Sequence, residues 1–523
     1  MPQGQYASPY PSGKADGATE KEAYPMKKTR LLALLTVSVI ALMSFAPALA
    51  EESVPQITVY ITFSGTTANA ENPVLDAIEK ATGVRMKVIQ AAPGDEETKL
   101  NTMIAARELP DLFRVTKVSD MQQFIDEGML MPLDDLLEAN GPNILKEVGD
   151  ILPDAPANKI DGHTYMMLSG STAYTSNLNV RVDWLKRLGL EMPTDLDSLY
   201  DVLHAFTYDD PDGNGQQDTV GIVMPMAQFM QWDNLFGAFG ICFEKNYLME
   251  DGIVTTYMKA PAYLEAIHYL RKLYQDGVMD PDFATMPAMT AHERLWTGRS
   301  GVYGFQSVGP TNNWYPGRYT EEMPEDPAEV FGFANIVGPD GFGGSPKQYP
   351  SMTEGWVVSS TCKNPEAAIR LIDYLYTQEG DELTYLGVEG LMYEWIDEEN
   401  GVYRRLGEYT DDAIHRANGG FTYWFNLIAD NCEARTLNNL TREGQELARA
   451  HAIDHPVIYS ALESEMEYGT SLVQITREAL AQLIVTTGDV EAEYNAFVKR
   501  WNDEGGLAFE AEATAAWQAQ QSE

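Results

Sequence analysis

The chain has 523 residues, enough for about three domain-sized units or two large lobes, and carries 36 Lys and Arg against 78 Asp and Glu, a formal charge of −42. A 44% hydrophobic share with 10% aromatic residues belongs to a folded protein and not to a disordered acidic tail. So negative a chain repels polyphosphate, which excludes nucleic-acid binding through a broad basic face and charge-driven adsorption on anionic lipid. Three cysteines, Cys242, Cys362 and Cys432, exclude a disulfide-built scaffold; one bridge or three buried free thiols are equally open.

Residues 1–25 lack apolar periodicity and read as a disordered extension. From Met26, an alternative start, the pattern is that of a secretory signal peptide: Lys27, Lys28 and Arg30, then an apolar run from Leu31 to Ala46, then Ala48-Leu49-Ala50. The run has 16 residues with Thr36, Ser38 and Ser44 inside it, short of the roughly 20 that span a bilayer. Cleavage is expected before Glu51, with no cysteine near the cut for lipid attachment, so the protein is expected to be secreted, periplasmic or cell-surface. Loss of residues 1–50 removes five basic and three acidic residues and leaves −44.

QITVYITF (56–63), a Ser/Gly/Thr/Asn loop, PVLDAIEKATG and VRMKVIQ predict strand, loop, helix and strand, an opening β-α-β unit. TKLNTMIAARELPDLFRV continues with a helix and a short strand, and DMQQFIDEGMLMPLDDLLEANG with two short helices. After 169–176 the rhythm changes: NLNVRVDWLKRLGL and DLDSLYDVLHAF predict amphipathic helices, followed by PAYLEAIHYLRKLYQDG and a helix-then-strand HERLWTGRSGVYGF. Residues 309–350 are Pro- and Gly-rich turns. The strand GWVVSS and helix PEAAIRLIDYLYTQEG return to the first pattern, and the rest from Tyr393 reads as mostly helical. The order predicts an α/β protein of two lobes, each built from separated segments: 51–168 with 334–392, and 172–308 with 393–510, followed by a tail at 511–523. Crossings are expected near 169–174, 305–312 and 390–395.

TKLNTMIAARELPDLF, NVRVDWLKRLGLEMPTDLDSLYDVLHAF with DDPDGNGQQDTVGI, LYQDGVMDPDF, GWVVSSTCKNPEAAIRLIDYLYTQEG and LGVEGLMYEW resemble the extracellular solute-binding protein family 1 of ABC importers. The resemblance samples residues 98–395; the Asp-Trp-Leu run leading into the Asp/Asn/Gly loop is its most specific part. It implies a type II periplasmic-binding-protein-like fold with a ligand cleft between the lobes. It also implies a carbohydrate ligand, ABC permease subunits as membrane partners, a monomer, and no catalysis. A secreted glycoside hydrolase using a carboxylate pair is the enzyme alternative, and a sensory binding protein without a transporter is another.

Asp210, Asp212, Asn214, the Gln216 carbonyl and Asp218 stand at positions 1, 3, 5, 7 and 9 of a calcium loop, with Gly215 at position 6. Gly221 replaces the usual bidentate Glu at position 12, so the loop is not a complete EF-hand; the resemblance also implies structural calcium here, against the alternative of a plain polar turn. His451 and His455 in HAIDH lack the Glu of a metalloprotease, and Pro456 follows at once. No nucleophile elbow, P-loop, dinucleotide fingerprint or metal-spaced cysteine set occurs.

Sugar rings stack on aromatic faces. Trp184 falls on an apolar helix stripe and reads as core. Tyr174, Trp232, Trp314 and Trp356 sit near loops or element ends and are candidate ligand contacts, with core packing an equal alternative for each. Ser64 and Thr66 in the first β-α loop, and Thr116 after LFRV, are further candidates because parallel strands open there onto a cleft.

Overall fold

The computed structural model describes residues 54–522 apart from 62–66, 93–94, 117, 151, 156–157, 159, 161, 170–175, 307–308, 314, 316–322, 325, 349–353, 422, 424–426 and 428–431. The extension and signal peptide read from the sequence lie outside the described residues. Among the described residues no helix is long and apolar enough to cross a membrane.

The strands in chain order are β1 (Gln56–Ile61), β2 (Arg85–Gln90), β3 (Leu112–Val115), β4 (Met166–Leu168), β5 (Ser176–Arg181), β6 (Val220–Val223), β7 (Asn246–Leu248), β8 (Val254–Thr256), β9 (Ser300–Gln306), β10 (Phe331–Ala334), β11 (Gly355–Val358), β12 (Tyr393–Asp397) and β13 (Val402–Arg405). They form two principal sheets, β2-β1-β3-β11-β4 and β10-β5-β9-β6, and two separate hairpins, β7-β8 and β12-β13.

The first sheet grows from the expected β-α-β unit. β1 and β2 pair in parallel from Gln56 with Arg85 to Ile61 with Gln90, a geometry that needs a crossover element between them. The helix Pro73–Thr82 supplies it: the Asn72 side chain accepts from the Leu75 N–H at 3.0 Å to start it, and Gly83 at φ 67° closes it. β11 lies antiparallel to both β3 and β4, so a strand from the return segment completes the sheet. Ile57, Val59, Phe113, Met167, Val357 and Ile369 belong to one apolar core around this sheet.

The second sheet has a separate core, with Leu178, Val180, Trp184, Phe206, Ile222, Trp232 and Phe236 among its members. Its central β5 corrects the sequence reading, because NLNVR was expected to begin a helix. All six residues of β5 are buried between β10 and β9; the Asn177 and Asn179 side-chain amides donate to carbonyls, which lets two polar residues sit in a buried strand. The helix Val182–Leu188 follows directly, and the next, Leu196–Tyr208, starts at a reciprocal cap between Asp195 and Ser198.

The lobe boundaries also differ from expectation. β10 pairs with β5, so residues 331–334 belong to the second sheet. The following Gly-rich stretch stays with it: Gly344, at φ 109°, lies against the His451 carbonyl so closely that a Cβ would overlap it. Residues after Tyr393 stay with the first lobe: Tyr409, Tyr423 and Leu427 join its core, and 393–405 form the β12-β13 hairpin where helix was expected. The expected tail is part of the helix Leu507–Gln520, whose Thr514 hydroxyl accepts from the Val254 N–H at 2.9 Å and whose Ala513 is fully buried. The chain therefore changes lobe between Lys347 and Glu354 and again between Arg435 and Asn438, in place of 305–312 and 390–395.

Candidate functional site

The three places where chain leaves or enters the first sheet are adjacent. Ser169, just after β4, donates its backbone N–H to the Glu354 carbonyl at 3.1 Å and forms an isolated bridge with Leu427. Arg114 in β3 holds two of these segments: its Nε donates to the Ser169 hydroxyl at 2.9 Å and its Nη2 to the Glu354 carboxylate at 2.6 Å. The guanidinium thus pins segments far apart in sequence, which fixes the first-lobe ends of two of the crossings.

On the second lobe, β5 starts at Ser176, whose hydroxyl donates to Asp233 Oδ2 at 2.8 Å. Asp233 is buried, and desolvation pushes its carboxyl up to about 7; the Ser176 hydrogen bond and the charge of Lys245 pull the other way, while Glu244 adds to the rise. A carboxyl that titrates near neutrality therefore sits where the first crossing enters the second lobe.

Of the candidate contacts, Tyr174, Trp314, Ser64 and Thr66 lie outside the described residues. Thr116 is exposed at the end of β3. Trp232 and Trp356 are corrected to core positions. Trp232 is fully buried, its indole N–H donates to the Pro225 carbonyl at 3.3 Å, and Phe243 and Phe283 pack on its ring. Trp356 is 3% exposed in β11, opposite Arg114, and leaves no ring face for a sugar. Trp184 is core as read, edge-on to Phe206. The three cysteines are buried and none forms a disulfide; burial pushes the Cys242 and Cys362 thiols up to about 12, which keeps them protonated. His451 follows the end of a helix at Ala450, so the HAIDH pair shares no helical face.

The Asp loop lies between the helix Leu196–Tyr208 and β6, and its turns require left-handed backbone at Asp210, Gly213 and Gly215. The Asn214 Nδ2 donates to Asp212 Oδ2 at 2.8 Å and to Asp218 Oδ1 at 3.2 Å, and the Gly215 N–H donates to Asp210 Oδ2 at 3.0 Å. Asp210 Oδ1 is buried without a hydrogen-bond partner. Burial, together with Asp210 and Asp218 alongside, holds the Asp212 carboxyl above the usual range. Arg187 donates to the Asp212 carbonyl at 2.7 Å and Arg299 stands 3.8 Å from Asp218. Hard oxygens gathered on a tight turn, one of them orphaned, suit a calcium ion chemically; among the described residues, however, no three His, Cys, Asp or Glu side chains are already drawn together as a cage.

Sequence reasoning missed the Arg114–Ser169–Glu354 cluster. The available signal was a charged residue inside the otherwise apolar strand LFRV, which a buried site tolerates only with partners.

Two α/β lobes joined by three neighbouring crossings define a two-lobed binding protein. The chain belongs to the bacterial extracellular solute-binding protein family, whose model matches residues 64–382. It is 25% identical over 457 residues to the lipoprotein LipO of Bacillus subtilis, covering 83% of this chain and 87% of that one. It is 26% identical over 454 residues to the polygalacturonan/rhamnogalacturonan-binding protein YtcQ of the same organism, covering 82% and 84%. In fold it is similar to the substrate-binding protein FusA of Streptococcus pneumoniae in complex with kestose, with a TM-score of 0.69, 21% identity, and coverage of 89% of this chain and 99% of that one.

Proposed function

We propose that the chain is the capture component of an ABC importer, which takes an oligosaccharide between its lobes and delivers it to membrane permease subunits. The observation that carries this reading is the set of adjacent first-lobe segments at Ser169, Glu354 and Leu427, two of them held by Arg114, an arrangement suited to two lobes that close on a solute. Membership of the family and likeness to saccharide-binding relatives support the sugar. No bond of the sugar is made or broken; a monomer captures it and releases it whole.

The protein acts outside the cytoplasm, after cleavage before Glu51. Calcium binds at Asp210, Asp212, Asn214, Gln216 and Asp218, where it would tie the turn after Tyr208 to the start of β6; its role there is structural, since the loop is remote in sequence from the crossings. Ligand capture is tested by thermal shift of the purified protein against an oligosaccharide panel. About 2.7 kcal/mol of stabilisation is expected at one hundred times the dissociation constant, with the sugar recovered intact. Release of shorter sugars would instead indicate a hydrolase.

A further inference from the structure

The helix Asn439–Ala450, which follows the third crossing, borders a cavity of about 230 Å³ lined by Leu437, Arg442, Gln445, Glu446 and Arg449. The spacing of the four polar residues places them on one stripe of the helix.

The cavity lies where the chain passes from one lobe to the other. Upstream, the chain is held to the first lobe: Arg435 pairs with Glu382, and its guanidinium lies over the Trp395 ring, 5.5 Å from the centroid. Downstream, the helix is held to the second lobe: Asn438 donates to the Thr311 carbonyl at 2.6 Å, and the Asn177 amide donates to the Gly444 carbonyl at 2.8 Å. Arg442 spans the two, donating to the Arg435 carbonyl at 3.1 Å.

The charge of this cavity is opposite to that of the chain. With 78 acidic residues against 36 basic ones, a guanidinium readily finds a carboxylate. Arg442 nevertheless bonds a backbone carbonyl, and Arg449 bonds only the Gln445 amide oxygen, at 3.4 Å; neither pairs with a described carboxylate. Neutral sugar hydroxyls are served by amides and carboxylates and do not call for two cations. A planar carboxylate does, because the guanidinium fork matches it with two parallel N–H donors.

We infer that this cavity is the subsite for an acidic sugar, a uronate residue of the captured oligosaccharide. Arg442 and Arg449 take its carboxylate, and Gln445 and Glu446 serve the neighbouring hydroxyls. The inference rests on the carbohydrate reading and narrows it to polyuronate fragments.

The test is calorimetric titration of the full secreted chain with oligogalacturonates and oligomannuronates beside their neutral methyl esters. The acids are expected to bind at least tenfold tighter than the esters, and more weakly as salt rises. Arg442→Gln and Arg449→Gln are each expected to weaken acid binding at least tenfold and to leave ester binding unchanged. Arg449 is exposed, so its variant carries the test if loss of the Arg435 contact unfolds the other. Esters or neutral fructans binding as tightly as the acids, with both variants unaffected, would overturn the uronate subsite and leave sugar capture standing. Failure of every saccharide, acidic or neutral, would overturn both.

Discussion

Glu354 accepts a hydrogen bond from Arg114 at 2.6 Å across 240 positions of sequence, and the same guanidinium reaches Ser169. The pair ties the segment entering β11 to the end of β3, so the first sheet and two of the crossings share one charged contact. Both side chains are partly shielded from water, which raises the cost of leaving either unpaired.

Replacing Arg114 with Met keeps its length and removes the charge. The stranded Glu354 carboxylate and the lost Ser169 contact are expected to lower stability by about 1–3 kcal/mol, seen as a lower melting temperature, and to weaken ligand binding by freeing the crossings. A variant with wild-type melting and affinity would show that the contact does not hold the crossings.

Asp233 sets a pH dependence. Its buried carboxyl is pushed up to about 7, so between pH of about 4 and 7 the folded chain keeps a proton that the unfolded chain has lost. Its contribution to stability is therefore fully present at the acidic end of that window and is lost as pH rises toward 7, by up to about 1.4 kcal/mol per pH unit. Asp233→Asn is expected to gain on wild type from pH of about 5 to about 7 in urea unfolding and to level off above it. A constant difference across that range would mean the carboxyl is solvated in solution.

The calcium loop is tested by chelation. Addition of a chelator is expected to lower the melting temperature of the wild-type protein, and Asp212→Ala to remove the difference. If elemental analysis finds no calcium and chelation leaves melting unchanged, Asp210 to Asp218 is a turn held by its own hydrogen bonds and by Arg187.

Trp232→Ala is expected to cost about 3–5 kcal/mol of folding stability, the penalty of a large core cavity, while the folded fraction binds ligand with unaltered affinity. Loss of affinity without loss of stability would return Trp232 to the ligand site.

Much of this fold was legible where pattern and role coincide. QITVYI, PVLDAIEKAT and RMKVIQ carry the strand and helix periods with their caps, and the β-α-β unit appears as read. The misreadings fall where burial comes from partners far along the chain. Asn177 and Asn179 look exposed until β10 and Gly444 cover them, and FGFA is too short and too rich in glycine to announce an edge strand of the second sheet. Trp232 lies in a short turn between 3-10 helix and helix, a context that reads as loop, yet aromatic neighbours from several segments bury it. The pairing of Arg114 with Glu354 had no local signal beyond a charge in an apolar strand, because only the completed sheet brings β3 beside β11.

Sugar capture between closing lobes is tested most directly by small-angle scattering of the secreted protein during titration with an oligosaccharide that shifts its melting temperature. A radius of gyration that falls as ligand is added and levels off at one sugar per chain is the expected result. A bound sugar with an unchanged radius, or no saccharide that binds at all, would contradict it.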